Sequence, residues 1–241
     1  MLEIKLNQAK YELFPLPSNG YNPQGIVTLQ VRPMTGKDER TIFTNKTLLR
    51  KGNIEDVVCS VLTGNGITRD NKEVKVDWSS MFLEDQYALM FFIQAISYGY
   101  NYEFDVKCPE CNKPHHLKIH LEKDIDVVMA DESIQNGITV TLPKLGIPVT
   151  MRIPTKKDDS KDIYRLIENV IVCSSEERPI LREWLDSLSG GDIAELRSAL
   201  NKSRFGIPKK INFVCENPSC DSEGADQEVG IPMDNFFRLR S

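Results

Sequence analysis

The chain has 241 residues, with 30 lysines and arginines against 35 aspartates and glutamates, so its formal net charge is −5. Hydrophobic residues make up 40% and charged residues 27%, a globular balance that excludes a disordered or fibrous chain and suits one or two domains. The acidic excess speaks against a general nucleic-acid binder, which carries a strong basic surplus.

At the N-terminus, Met1-Leu2-Glu3-Ile4-Lys5-Leu6 interrupts its apolar residues with charges at once, so no signal-peptide core is expected. The longest apolar run, 87–93, stops at Gln94 and falls far short of a membrane span. These features imply a soluble protein that matures in a reducing cytoplasm and has no membrane partner. In that compartment paired cysteines point to metal or redox chemistry before disulfides.

The first candidate element is the proline-rich opening Phe14-Pro15-Leu16-Pro17. It reads either as an extended docking arm or as an irregular loop packed on its own domain. A strand follows over 26–32. A helix start is signalled by Thr35 with Asp38, a hydroxyl N-cap and a carboxylate three residues on. A second helical stretch carries Cys59 within Val57-Val58-Cys59. Gly64-Asn65-Gly66 lacks the Lys-Ser/Thr signature of a phosphate loop. The stretch 82–98 repeats apolar positions at helical spacing (Leu89, Phe92, Ile93, Ile96) and ends before Gly99, a suitable left-handed cap. The alternating segments 102–106 and 117–121 read as a hairpin. The acidic stretch 122–136 reads as a linker leading into the turn signal Asn136-Gly137. Beyond it come strands at 138–142 and 149–153, then Thr155 with Asp158, which signal a helix start as Thr35 and Asp38 do. A stretch with Ile171-Val172-Cys173, read as helical, precedes a helix over 193–205. Asp192 with Glu195 is a second capping pair, and Gly206 is placed as that helix's C-cap.

This order repeats itself. Asp85 and Asp192, Leu89 and Leu196, Ile93 and Leu200, Gly99 and Gly206, Phe104 and Ile211, Val106 and Phe213, and Cys108 and Cys215 all lie 107 residues apart. Trp78 with Trp184, Cys59 with Cys173, and Thr35-Gly36-Lys37-Asp38 with Thr155-Lys156-Lys157-Asp158 extend the ordered series at drifting offsets. The expected fold is therefore α+β. It has two tandem copies of a strand-helix-helix-hairpin unit, residues 1–121 and 137–241, joined by the linker 122–136 and related by a pseudo-two-fold.

Six cysteines then resolve into two sets of three. Cys108-Pro109-Glu110-Cys111 and Cys215-Glu216-Asn217-Pro218-Ser219-Cys220 each place two thiols at the tip of a strand-turn-strand unit with proline in the turn. This is a zinc-knuckle arrangement, and structural zinc takes four ligands. Two solutions exist. Either Cys108, Cys111, Cys215 and Cys220 share one Zn2+ per chain, or each knuckle recruits histidines locally. His115 and His116 could serve the first copy, but the second has none, so the shared site is preferred. A thioredoxin-like pair would stand at a helix start, whereas Asn112, Lys113 and Pro114 lead into a strand. A catalytic zinc would need an open position beside an acid or base, and Glu110 and His116 have no counterpart in the second copy. Cys59 and Cys173 read as core thiols. His115, His116 and His120 read as a solvated strand face, and Trp78 and Trp184 as core anchors. No nucleophile triad or carboxylate pair stands out, so an enzyme is not expected.

Several ordered segments add a resemblance. Leu16-Pro17-Ser18-Asn19-Gly20, Val31-Arg32-Pro33-Met34-Thr35-Gly36-Lys37-Asp38-Glu39, Leu48-Leu49-Arg50-Lys51-Gly52, Ile96-Ser97-Tyr98-Gly99 and the stretch from Tyr102 to Cys111 resemble the T4-type phage baseplate family of contractile-tailed phages. The likeness spans most of the first copy and, more weakly, the second, whose knuckle has a wider spacing. It implies a non-enzymatic protein of tail morphogenesis that is assembled in the host cytoplasm and bound to other tail and hub proteins. One version is a baseplate hub or central-spike component resident in the virion. The other is a hub assembly chaperone absent from the mature particle. A zinc-ribbon nucleic-acid-binding protein is the alternative of another class, disfavoured by the net charge. The oligomeric state is left open.

Overall fold

In the computed structural model, residues 10–44, 54–160, 162–202, 204–220 and 226–232 are described. The opening hexapeptide and the segment 48–52 lie outside them.

Strand β1 (Glu12–Pro15) pairs antiparallel with β2 (Ile26–Val31), with Glu12 opposite Val31 and Pro15 opposite Thr28. Proline has no N–H to give to a ladder and is tolerated here because β1 is the edge of its sheet. The proline-rich opening is therefore not a free arm. Phe14 stacks on Phe92 with ring centroids 4.8 Å apart, and Leu16 is fully buried. Strands β3 (Thr63–Thr68) and β4 (Glu73–Val74) complete a four-stranded antiparallel sheet in the order β1-β2-β3-β4. Gly66 sits in β3 where the Ile26 side chain leaves no room for a Cβ, so residues 64–66 are strand.

Helices α1 (Gly36–Thr44), α2 (Ile54–Leu62) and α3 (Leu83–Tyr98) belong to the same half. Ile26, Leu29 and Val31 of the sheet share one core with Val58, Leu62, Leu89 and Ile93. As expected, α3 stops at Gly99, which takes φ +96° and donates its N–H to Ala95 O at 2.9 Å. The hairpin of β5 (Asn101–Lys107) and β6 (Pro114–His120) follows and buries Tyr102, Phe104 and Ile119 on this core.

The second half has the hairpin β7 (Ile138–Thr141) and β8 (Pro148–Met151), the helices α4 (Ile163–Val170), α5 (Leu181–Ser187) and α6 (Gly190–Asn201), and a last hairpin of β9 (Lys210–Val214) and β10 (Asp226–Gly230). Leu142, Met151, Ile167, Val170, Leu185, Ile193 and Leu196 form a second core. Phe82 joins it, packing on Phe205 at 5.8 Å between centroids. Trp78 and Trp184 are half-buried against the first and second cores respectively.

Four expectations for this half are corrected. After Thr155 there is a single 3-10 turn, Lys156–Asp158, and no full helix. Cys173 lies beyond the end of α4 in irregular chain, because Ile171 leaves the helix to bridge Met151. Ser189, not Asp192, caps α6: the Asp192 amide donates to Ser189 Oγ at 3.2 Å. Gly206 lies past the helix end at Asn201 and exchanges two 2.8 Å backbone hydrogen bonds with Val128.

Two local networks recur at the positions that the sequence aligns. Arg32 holds Asp38 with two guanidinium bonds of 2.7 and 3.0 Å, and Thr35 gives Asp38 both its amide and its hydroxyl. Arg152 holds Asp158 with two bonds of 2.5 Å, and Thr155 repeats the amide and hydroxyl contacts. The two arginine amides donate to Leu62 O and Val170 O, the last residues of α2 and α4.

The stretch 122–136 is built into the protein. Ile125 is part of the first core, whereas Ala130 and Ile134 are part of the second. Asp131 caps a 3-10 turn, Glu132–Asn136, which Gly137 ends at φ +71° and ψ −158°. Only glycine populates that region freely, and a Cβ there would also strike the Met151 carbonyl. Gly137→Ala is expected to lower stability by about 1–3 kcal/mol, as measured by urea unfolding. Among the described residues no helix is long and apolar enough to cross a membrane.

Candidate metal centre

β5 ends at Lys107, and the next residue begins a tight turn. The Cys108 amide donates to Lys113 O and the Asn112 amide to Cys108 O, both at 3.0 Å. Asn112 takes φ +56°, a left-handed conformation that asparagine tolerates better than most residues. Pro114, opposite Lys107, starts β6. The turn thereby brings Cys108 and Cys111 to one side. In the second half β9 ends at Val214, and the amides of Cys220 and Ser219 donate to the backbone and side-chain oxygens of Asn217. That turn brings Cys215 and Cys220 to the same place.

All four sulfurs lie within 4.8 Å of one another, an arrangement that could hold a metal ion. Cys108 Sγ is 3.8 Å from Cys220 Sγ, and Cys111 Sγ is 3.8 Å from Cys215 Sγ. A tetrahedron of metal–sulfur bonds of about 2.3 Å has edges of about 3.8 Å. A disulfide would need sulfurs at about 2.05 Å, and none of the six cysteines forms one. Cys108, Cys215 and Cys220 are buried with Phe213 and Val229 in a small core of their own, with Cys111 half-buried at its edge.

The electrostatics fit a cation. Hydrogen bonds from the Asn217 side chain and the Lys113 amide pull the Cys111 thiol down to about 6. At Cys215 an amide bond at Asn217 acts the same way, yet desolvation and the three neighbouring thiols push it up to about 12. Successive thiolates in so small a space repel one another. A divalent ion at the centre removes that cost, and soft sulfur donors in a tetrahedron suit zinc or iron–sulfur chemistry.

The structure thus brings together all four cysteines expected from the sequence and leaves Cys59 and Cys173 apart. Cys59 is buried in α2 with its sulfur 3.6 Å from Met90 Sδ. Cys173 is half-buried against the second core. Of the histidines, His116 is exposed beside Asp105 at 2.9 Å, and His120 stacks on Tyr100. His115 departs from the solvated face expected for it: its Nε2 lies 3.3 Å from Cys215 Sγ. The signal was present in the strand parity, since His115 alternates with Leu117 and Ile119, which turn inward. Asn217, the hydrogen-bond partner of Cys111, carried no comparable signal.

A family model described as T4 bacteriophage base plate protein matches residues 8–237. No curated protein and no solved structure matches the chain.

Proposed function

The chain belongs to the family of T4 bacteriophage base plate proteins, and from that premise we propose that it is a non-enzymatic structural component of the baseplate hub, in the central-spike region of a contractile tail, held together by one structural zinc ion. The observation that carries the baseplate role is the family match over residues 8–237, which takes in both halves and both cysteine pairs. Its partners are other tail and hub proteins, with neither nucleic acid nor membrane among them.

The ligands in this reading are Cys108, Cys111, Cys215 and Cys220, and the 3.8 Å sulfur separations support a single ion. The two halves are copies of one unit, 1–121 and 137–241, with 122–136 between them. The recurring Arg-Thr-Asp networks support this division, while the two cores cross it, since Ile207 and Ile231 join the first and Phe82 the second. Exchanging Cys108 with Cys215 and Cys111 with Cys220 turns one 3.8 Å contact into the other, as a pseudo-two-fold through the ion requires.

Mass spectrometry of purified mature tails tests the placement. The expected result is the chain present at fixed stoichiometry with the other hub proteins. Its absence from intact particles, with presence in infected cells, would replace this reading with a transient assembly chaperone.

A further inference from the structure

His115 stands in β6 of the first hairpin, whereas Cys215 follows β9 of the last, so the 3.3 Å contact between Nε2 and Sγ crosses the same junction as the thiol cluster. The imidazole is half-buried and packs on the Phe213 ring at 5.2 Å between centroids, tilted by 56°. The other two imidazoles are engaged elsewhere, with Asp105 and with Tyr100. Four thiolates around a divalent ion leave an excess of negative charge on the sulfurs. An N–H donor outside the coordination shell offsets part of that excess and fixes the sulfur it bonds. The four sulfurs lie within 4.8 Å of one another, two of their separations have the 3.8 Å of a tetrahedral edge, and four donors fill a tetrahedron, which places the imidazole as a neighbour of the shell and not a member of it.

We propose that His115 is a positioning residue of the metal centre, donating its Nε2–H to the Cys215 sulfur and slowing release of the ion. This rests on the zinc reading above. It makes the first hairpin contribute three groups to the centre: two thiolates and one donor aimed at the opposite pair.

The test uses the full chain loaded with zinc or cobalt(II). His115→Phe keeps a ring against Phe213 but removes the donor, and His115→Gln restores an N–H. Wild-type chain that takes up no metal would sink the zinc reading itself, whatever His115 does. With metal bound, all three proteins are expected to hold one ion per chain. Zinc transfer to a chelating dye should be about 10–100 times faster from His115→Phe, with His115→Gln closer to wild type. The cobalt–thiolate charge-transfer band should move to lower energy in His115→Phe, because the sulfur becomes a better donor. Wild-type release rate and an unshifted band in that variant would overturn the proposal. So would a wild-type cobalt spectrum with the intensity of three thiolates and one imidazole, which would make His115 a ligand. His115→Ala repeats the comparison if the phenyl ring prevents folding.

Discussion

Cys108→Ser is expected to abolish metal binding and to unfasten the two hairpins that meet at the cluster. The variant removes one of four sulfurs, and a hydroxyl is a poor replacement for a soft thiolate on zinc. Cys220→Ser should do the same from the other half, because its sulfur lies 3.8 Å from that of Cys108 in the same cluster. Structural zinc binding in small peptides contributes on the order of 10 kcal/mol. Here the small core of Phe213, Val229 and the cysteines has little apolar area of its own, and the last hairpin otherwise rests on the first core through Ile207, Ile211 and Ile231, so loss of the ion is expected to loosen this hairpin before the two larger cores. Loss of even about 5 kcal/mol would lower the midpoint of thermal unfolding by roughly 10–20 °C at this chain length. Metal analysis should give one zinc in wild type and none in either variant, and chelation of the wild type should reproduce their melting curves. Cys173→Ser, outside the cluster, should retain the metal. Two zincs per chain, or full occupancy in Cys108→Ser, would contradict the shared site.

The cluster was legible because its information is local. Two close cysteine pairs with proline between them, each after an alternating strand, specify turns that can present thiols, and a spacing of 107 residues links them. Helix ends were less legible. At α3 the glycine stands directly after the last helical residue, so Gly99 marked the end correctly. At α6 the chain leaves the helix after Asn201, and Gly206 serves a bridge to Val128 instead. Pairing with a residue 78 positions upstream leaves no pattern in the surrounding sequence. The apolar run Ile171-Val172-Cys173 reads as helical for the same reason, but Met151 of β8 draws Ile171 into a bridge. The aligned arginines Arg32 and Arg152 were visible as letters, yet their role as clamps on Asp38 and Asp158 depends on how the strand and turn meet.

Asp85 and Asp192 occupy matching places, and the second large prediction comes from how their surroundings differ. Both side chains are fully buried near the start of a helix. Burial raises Asp192, but amides at Lys144 and Leu145 and the hydroxyl of Ser189 outweigh it and hold the carboxyl below its ordinary range. Asp85 accepts from the Ser18 amide at 2.8 Å through Oδ1, while its Oδ2 has no hydrogen-bond partner. Desolvation then dominates, with a smaller push from Glu84, and the carboxyl rises to about 7. A carboxyl raised in the folded state stabilises the fold fully below its unfolded pKa of about 4, and that contribution is lost as pH climbs to the folded value. The wild type should therefore lose stability between pH 4 and 7, on the order of 4 kcal/mol across the window, and lose no more from this group above it. Asp85→Asn keeps an oxygen for the Ser18 amide and cannot ionise. Denaturant unfolding of both proteins, with the metal state held equal, should show the variant gaining on the wild type steadily from pH 5 to 7, then by a constant margin at pH 8. A difference independent of pH would mean that Asp85 reaches solvent or finds a second donor, and that its burial is not electrostatically costly.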